Sequence, residues 1–319
     1  MENISSNSPQ HEGMILVHTS GSTGKPKPMW VERSRMEASA RITCQFLGLT
    51  KEDIALLCLS EDYIAGKMMR VRSEVCGMQL IEVAPSGHPL AGLTETPSFA
   101  AMVPMQVYNS LQVPEERRML MGIRNIIIGG GAVSAELAAE LRSFPNAVWS
   151  TYGMTETLSH IALRRLSGPE ASDWYTPFES VTVSTNANGV LVIDAPLVCP
   201  ERLTTNDIVE LHPDGRRFRI RGRRDNVICS GGIKLQIEEI EAALQPYIPC
   251  PFAITKRPDE KFGETVVLVA ASNDLAALKT ICEDHLPKYR QPRHYVSVTD
   301  IPMTDTGKPA RAKIQQLVQ

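Results

Sequence analysis

What this 319-residue sequence lacks narrows its identity first. Its seven cysteines, Cys44, Cys58, Cys76, Cys199, Cys229, Cys250 and Cys282, contain no Cys-x-x-Cys pair and no zinc-ligand spacing. They read as reduced, mostly buried thiols. No apolar run approaches the roughly 18 residues of a membrane span. Met1 to Gln10 is polar and has no apolar centre, so no secretion signal is read and a cytoplasmic location is expected. A large excess of charge is also missing: the formal net charge of -3 argues against general attraction to nucleic acid or an anionic membrane. What remains is an ordinary globular composition, 43% apolar, long enough for a full core and for two domains.

The chain contains a loop of unusual chemistry, Thr19-Ser20-Gly21-Ser22-Thr23-Gly24-Lys25-Pro26-Lys27, delivered by a strand expected over Gly13 to His18. Its glycines let backbone N-H groups turn toward an anion, four hydroxyls add donors, and two lysines add charge, so it reads as a phosphate-holding loop. It is not a Walker loop, because Pro26 rather than Ser or Thr follows Lys25. A helix is expected to start at Ser34, with Ser34 and Glu37 spaced as a capping box and Ala38, Ile42, Phe46 and Leu49 as its apolar stripe up to Gly48.

Further strands are expected at Ile54 to Leu59, at the start of Pro97 to Gln106, around Ile126 to Ile128 and at Val148 to Thr151, alternating with helices such as Ser134 to Phe144. That alternation predicts an α/β sheet whose ligands lie beyond the strand ends, where Gly129-Gly130-Gly131 and Tyr152-Gly153-Met154-Thr155-Glu156-Thr157 fall. The hexapeptide suits nucleotide handling: an aromatic face for a base, a hydroxyl for a phosphate and a carboxylate for Mg2+. Beyond it, a hairpin is expected to turn at Pro213-Asp214-Gly215. Six arginines between Arg216 and Arg224 make one strand face basic. The C-terminal third reads as a small α+β unit, with a helix from Glu238 to Leu244, a strand at Thr265 to Ala270, a helix across Leu275 to His285 and a strand at Tyr295 to Val298.

Together these segments resemble the signatures of the adenylate-forming superfamily, which holds acyl- and aryl-CoA synthetases, luciferases and peptide-synthetase adenylation domains. The resemblance runs from the first loop, where Pro28 stands in place of the usual glycine, to Pro302-Met303-Thr304-Asp305-Thr306-Gly307-Lys308. Thr155-Glu156-Thr157-Leu158-Ser159 is most similar to o-succinylbenzoate:CoA ligases of menaquinone synthesis. The resemblance implies a large N-terminal α/β domain over residues 1–224, lacking the family's usual first subdomain. A small mobile α+β lid would span 225–319, hinged at Asp225. The chain is then either a minimal version or a fragment.

The resemblance also implies site residues. Thr19, Ser20, Gly21, Ser22, Thr23, Gly24, Gly130, Tyr152, Gly153, Thr155, Asp207 and Arg223 would hold ATP, and Glu156 would hold Mg2+. Gly231 and Gly232 would admit the pantetheine arm of CoA. Lys308, Lys27 and Arg72 would act on the reacting groups, and Tyr63, Gly66 and Ser159 would line the acid's pocket. Lys67 and Arg70 are expected to be surface charges, and His160 a structural histidine outside the catalytic set. Departures from the family pattern are Ile237, where relatives usually have Pro, and Ile233, where theirs is polar.

The implied reaction joins a carboxylic acid to CoA through an acyl-adenylate at the expense of ATP, with no nucleic acid or membrane as partner. 2-Succinylbenzoate is the favoured acid. Another aryl or acyl acid, or a non-catalytic ATP-binding relative, is the alternative. An amino-acid adenylating domain is disfavoured because Tyr63 stands where an ammonium-binding Asp would. A homodimer is one way in which the side of the missing subdomain could be closed.

Overall fold

The computed structural model describes residues 13–18, 28–304 and 309–318. Met14–His18 (β1) and Pro28–Glu32 (β2) pair antiparallel, with Val17 opposite Met29 and His18 opposite Pro28. The glycine-rich stretch 19–27 lies between these strands, outside the described residues. Helix α1 (Arg33–Leu47) follows β2 at once. The expected capping box is not formed: Glu32 is the N-cap, Ser34 Oγ donates to the Glu32 carboxylate, and Glu37 instead takes Arg33 and Arg41 as partners. Arginines one turn before and after that glutamate offer it charge-assisted bonds, which a backbone N-H cannot match. The end at Gly48 is as expected, with φ 61° and its N-H returned to Cys44 and Gln45.

The chain divides into two compact units. The first comprises residues up to 184 with 193–203 and 212–218; the second comprises 185–192, 204–211 and 219–319. The second unit's long C-terminal segment begins at Arg219, and two earlier segments belong to the same unit.

In the first unit a seven-stranded sheet runs β4 (Gln79–Glu82), β3 (Ile54–Leu57), β5 (Phe99–Met102), β6 (Asn125–Ile128), β7 (Ala147–Gly153), β8 (His160–Arg165), β9 (Thr176–Pro177). The strands from β4 to β7 are parallel, and β8 and β9 are antiparallel. Parallel strands covered on both faces must be apolar throughout, and β5 and β6 are buried at every position. Helices α2 (Ile64–Cys76), α3 (Pro104–Gln112), α4 (Pro114–Gly122) and α5 (Ala135–Leu141) connect them. Leu111, Leu120, Leu137 and Leu141 from three of those helices pack with Ala100, Met102, Ile126 and Ile128 into one core. Helix α2 packs on α1, and Cys44 and Cys76 are joined between them as a disulfide with Cα atoms 7.0 Å apart. This corrects the reading of seven free thiols. The two cysteines are 32 residues apart, and only the packing of α1 on α2 brings them face to face. Of the others, Cys58, Cys199 and Cys282 are buried, while Cys229 is exposed.

A four-stranded sheet is ordered β10 (Thr182–Thr185), β11 (Val190–Asp194), β12 (Leu203–Leu211), β13 (Phe218–Arg223). The second unit holds a five-stranded sheet. β15 (Ile233–Gln236), β14 (Val227–Ser230), β17 (Gly263–Ala270) and β16 (Phe252–Asp259) are neighbours in that order, and β18 (His294–Ser297) runs parallel to β17. Side chains of β17 alternate between two cores. Val266, Leu268 and Ala270 face α6 (Ile237–Leu244) and α7 (Leu275–His285), whereas Val267 and Val269 pack with Ile314 of α8 (Arg311–Gln316). Among the described residues no helix is long and apolar enough to cross a membrane.

Candidate active site

The parallel strands β3, β5, β6 and β7 all end at one edge of the seven-stranded sheet, the edge at which such sheets bind ligands. Gly129 to Gly131 follow β6 there. A Cβ on Gly129 would lie 2.5 Å from Thr151 Oγ1, and Gly130 has φ +76°, so the turn needs both glycines.

The strand β7 ends at Gly153, where the pairing with β8 is bulged. The chain turns through Met154 to Ser159 and comes straight back along it. A Cβ on Gly153 would lie 2.2 Å from the carbonyl oxygen of Ser159 and 2.4 Å from Cα of His160, so only glycine allows that return. Thr157, fully buried, ties the turn together: its hydroxyl meets the N-H and carbonyl of Met154 and the carbonyl of Ser159. Leu158 has φ 64° and is the only non-glycine with positive φ among the described residues. A buried leucine held in that region is strained, and such strain persists only where surrounding contacts impose it.

That turn presents Ser159 and His160 to two helices. Arg72, on α2, is 2% exposed, so it is not a solvated helix charge; Lys67 and Arg70 on the same helix are half-buried. Arg70 is spread over Glu61 and Glu82 at 2.6 and 2.7 Å. Arg72 Nη2 donates to Ser159 Oγ at 2.5 Å, and its Nη1 approaches Met69 Sδ at 3.7 Å. Its Nε has no partner and no carboxylate pairs with it among the described residues. Burial alone pushes this guanidinium down to about 10, still protonated at neutral pH.

His160 is buried beside it, with Nδ1 3.2 Å from Ser159 Oγ and Nε2 3.1 Å from Thr43 Oγ1 on α1. Burial, reinforced by the charge of Arg72, holds the imidazole well below the ordinary histidine range, so it is neutral. Sequence reasoning did not connect His160 and Thr43. A signal was present: Ser39 and Thr43 lie on the buried face of α1, and buried hydroxyls require partners.

Tyr152 is 7% exposed, edge-on to Phe218 at 5.1 Å and tilted against Tyr175 at 5.9 Å. Thr155 is buried at the start of the turn, and its carbonyl accepts from Leu158 N-H at 2.9 Å. Glu156 is exposed. Among the described residues no three His, Cys, Asp or Glu side chains converge as a metal cluster. A lone exposed carboxylate nevertheless fits Mg2+ shared with a nucleotide, because that ion takes one or two carboxylates and completes its shell with phosphate oxygens and water. Tyr63 is the half-buried N-cap of α2, and Gly66 is buried where a Cβ would lie 2.3 Å from the carbonyl oxygen of Ser60. Gly66 therefore lets α2 start against the chain leaving β3.

In the second unit Arg223 donates to Asp207 at 3.1 Å, so the two expected ribose ligands adjoin each other; Asp207 is 9% exposed. Asp225 is exposed in a short 3-10 turn and takes Arg223 at 3.4 Å. The other arginines of the stripe are also engaged. Arg216 donates to the Pro177 carbonyl, Arg217 pairs with Asp214, Arg219 and Arg221 share Glu210, and Arg224 donates to Asn206. Acids that neutralise the stripe leave it a poor polyanion-binding face. Gly231 and Gly232 form the two-residue turn between β14 and β15, with φ +58° and +83°. The loop residues Thr19 to Gly24 and Lys27, and Lys308 near the C-terminus, lie outside the described residues.

Residues 3–200 match the family model of AMP-binding enzymes. The 2-succinylbenzoate–CoA ligase of Listeria monocytogenes is 26% identical over 329 residues, spanning 94% of this chain and 69% of the relative. The ligase of the same name from Bacillus cereus is 24% identical over 97% of this chain and 70% of its own. Among solved structures, an acyl-CoA synthetase (AMP-forming)/AMP-acid ligase II-like protein from Dyadobacter fermentans shares 35% identity with a TM-score of 0.64, over 96% of this chain and 90% of that one. The o-succinylbenzoate CoA synthetase of Bacillus subtilis, solved with its acyl-adenylate intermediate, has a TM-score of 0.78 at 23% identity, over 94% of this chain and 68% of that one, a likeness of fold.

Proposed function

This chain belongs to the AMP-binding enzymes, and from that premise we propose that it is an AMP-forming ligase that joins 2-succinylbenzoate to CoA. A carboxylate oxygen of the acid attacks the α-phosphorus of ATP and pyrophosphate leaves; the CoA thiol then attacks the acyl carbon and AMP leaves. The names of the relatives support the reaction class and the acid.

The observation that carries the choice of acid is Arg72. A buried guanidinium with no carboxylate partner among the described residues is costly unless an anion arrives to pair with it. 2-Succinylbenzoate has two carboxylates, so one can be adenylated while the other keeps its charge beside Arg72 and Ser159. An acid with a single carboxylate would lose its only anionic group in the first step.

In the first unit Gly129 to Gly131 and the turn at Thr155 would hold phosphates. In the second unit Asp207 would accept from ribose hydroxyls. Lys27, Lys308 and the loop from Thr19 to Gly24 would meet the phosphates. Glu156 would hold Mg2+, which when bound offsets negative charge on the phosphates. The test is mass-spectrometric detection of 2-succinylbenzoyl-CoA from the acid, ATP and CoA. Binding of ATP without adenylate formation from this or any related acid would leave a non-catalytic nucleotide-binding protein instead.

A further inference from the structure

Behind Arg72 the half-buried hydroxyl of Ser159 and the buried His160 and Thr43 form a chain whose proton positions can be argued from what each group donates. Thr43 Oγ1 lies 3.1 Å from the backbone carbonyl of Ser39, which can only accept, so the Thr43 proton is used there. Toward His160 Nε2, Thr43 can therefore only accept, which places the imidazole proton on Nε2 and leaves Nδ1 bare. Bare Nδ1 accepts the hydroxyl proton of Ser159. The lone pairs of Ser159 Oγ then face Arg72 Nη2, which can only donate. With Thr43 donating to Ser39, every link is satisfied in the direction that runs from Arg72 to Ser159 to His160 to Thr43 to the main chain of α1.

We propose that His160 is a positioning residue for acid selection. By taking the Ser159 hydroxyl proton it holds Ser159 as an acceptor toward Arg72, and so fixes the guanidinium that receives the second carboxylate of the acid. This rests on the reading of 2-succinylbenzoate as substrate. The turn that carries both residues is built for this placement: Gly153 lets Ser159 and His160 fold back on β7, and Leu158 is held at φ 64° immediately before them. His160 touches neither the substrate nor the nucleotide in this scheme, and its effect passes through Ser159.

The experiment compares 2-succinylbenzoate with 4-oxo-4-phenylbutyrate, which lacks the ring carboxylate, by kcat/KM for thioester formation. His160→Leu should reduce the preference for the dicarboxylate about tenfold, the scale of one charge-assisted hydrogen bond. The loss should appear as a raised KM for 2-succinylbenzoate at unchanged KM for ATP. His160→Asn, whose Oδ1 can accept from Ser159 where Nδ1 did, should restore most of the preference. A separate readout is the 15N spectrum of the imidazole in ligand-free parent protein at neutral pH, expected to show a protonated Nε2 and a bare Nδ1. An Nδ1-H tautomer, or a His160→Leu variant that keeps the parent's preference, overturns the proposal while leaving the ligase reading intact. A parent that makes no thioester from 2-succinylbenzoate overturns both. If His160→Leu does not fold, the Asn variant decides: loss of preference there, with the Ser159 acceptor kept, counts against the role.

Discussion

The hydroxyl oxygen of Ser159 lies 2.5 Å from Arg72 Nη2 across 87 residues of sequence, and this contact ties helix α2 to the turn after β7. Arg72 has no counter-ion there among the described residues, so in the ligand-free protein its charge opposes folding. Arg72→Met removes the charge and keeps much of the volume, next to Met69. The variant should be more stable than its parent by about 1 to 4 kcal/mol, the range for exchanging buried charge for apolar packing. It should also form thioester from 2-succinylbenzoate roughly 100-fold more slowly. Urea midpoints and single-turnover rates read the two effects. A less stable variant with normal turnover would contradict the view of Arg72 as a buried cation awaiting an anion.

His160 makes a pH prediction of defined sign. Its folded value is depressed by burial and by Arg72, whereas in the unfolded chain it protonates at about 6.5. Between the two values the unfolded state binds more protons. Its contribution to stability is therefore intact above about pH 6.5 and is lost progressively as pH falls below it. His160→Asn should lose stability less steeply than the parent over the two units below pH 6.5, carboxylates contributing equally to both proteins. Parallel curves would mean that His160 is already solvated or charged in the folded state.

Gly153→Ala tests the turn itself. Its methyl would meet the Ser159 carbonyl at 2.2 Å, and both atoms belong to or sit directly on backbone, so the strand pairing has to open. The cost should be on the order of 3 kcal/mol, typical of overpacking a closed site. Adenylate formation should fall along with the melting temperature, because Thr155, Glu156 and Ser159 move with the turn. A variant of parental stability would show that the turn closes less tightly than described.

Legibility in the sequence followed physical locality. Strands β3, β5 and β6 were readable because buried parallel strands are apolar runs, and α7 because its caps and stripe are contiguous. Strand β16 was not read, since Lys256, Arg257 and Pro258 interrupt it. It is an edge strand, where a proline costs little, and Lys256 is paired with Glu264 across the ladder at 2.9 Å. Strand β2 was hidden by shortness between Pro28 and the helix. Family membership was legible because its motifs are contiguous hexapeptides and loops, and the family match over residues 3–200 bears it out. The Arg72–Ser159–His160–Thr43 chain was not, because its members come from three segments that only the packing of α1, α2 and β8 brings together.

Asp207 and Arg223 form an ion pair at 3.1 Å that the proposed ribose site would share. Asp207→Ala removes the acceptor and leaves Arg223, among the described residues, with only the longer contact to Asp225. ATP affinity should weaken by roughly 1 to 3 kcal/mol, the cost of stranding polar groups that had a shared partner. In the parent, 2'-deoxy-ATP should bind more weakly than ATP, and the variant should no longer distinguish them. Equal affinities in the parent would remove Asp207 from the ribose.

The glycine pair between β14 and β15 calls for a test that separates turn from ligand. Gly231 and Gly232 both have positive φ, and two-residue hairpins of that geometry favour Asn-Gly as well as Gly-Gly. Turn geometry therefore accounts for both glycines without any ligand, and a leucine at Gly231 would fail for that reason alone. Gly231→Asn keeps the hairpin, asking only a few tenths of an ångström from the Phe262 ring, 3.3 Å from the new Cβ. Its melting temperature should match the parent's. If the pair also admits the pantetheine arm of CoA, the variant should exchange pyrophosphate into ATP at the parent rate yet convert supplied acyl-adenylate and CoA to thioester about tenfold more slowly, the scale of one lost close contact. Lys308→Ala should show the opposite split if that lysine serves only adenylation. Unimpaired thioester formation in Gly231→Asn would reduce the pair to a hairpin turn. Equal suppression of both half-reactions in both variants would argue for one fixed site in place of a lid with two orientations.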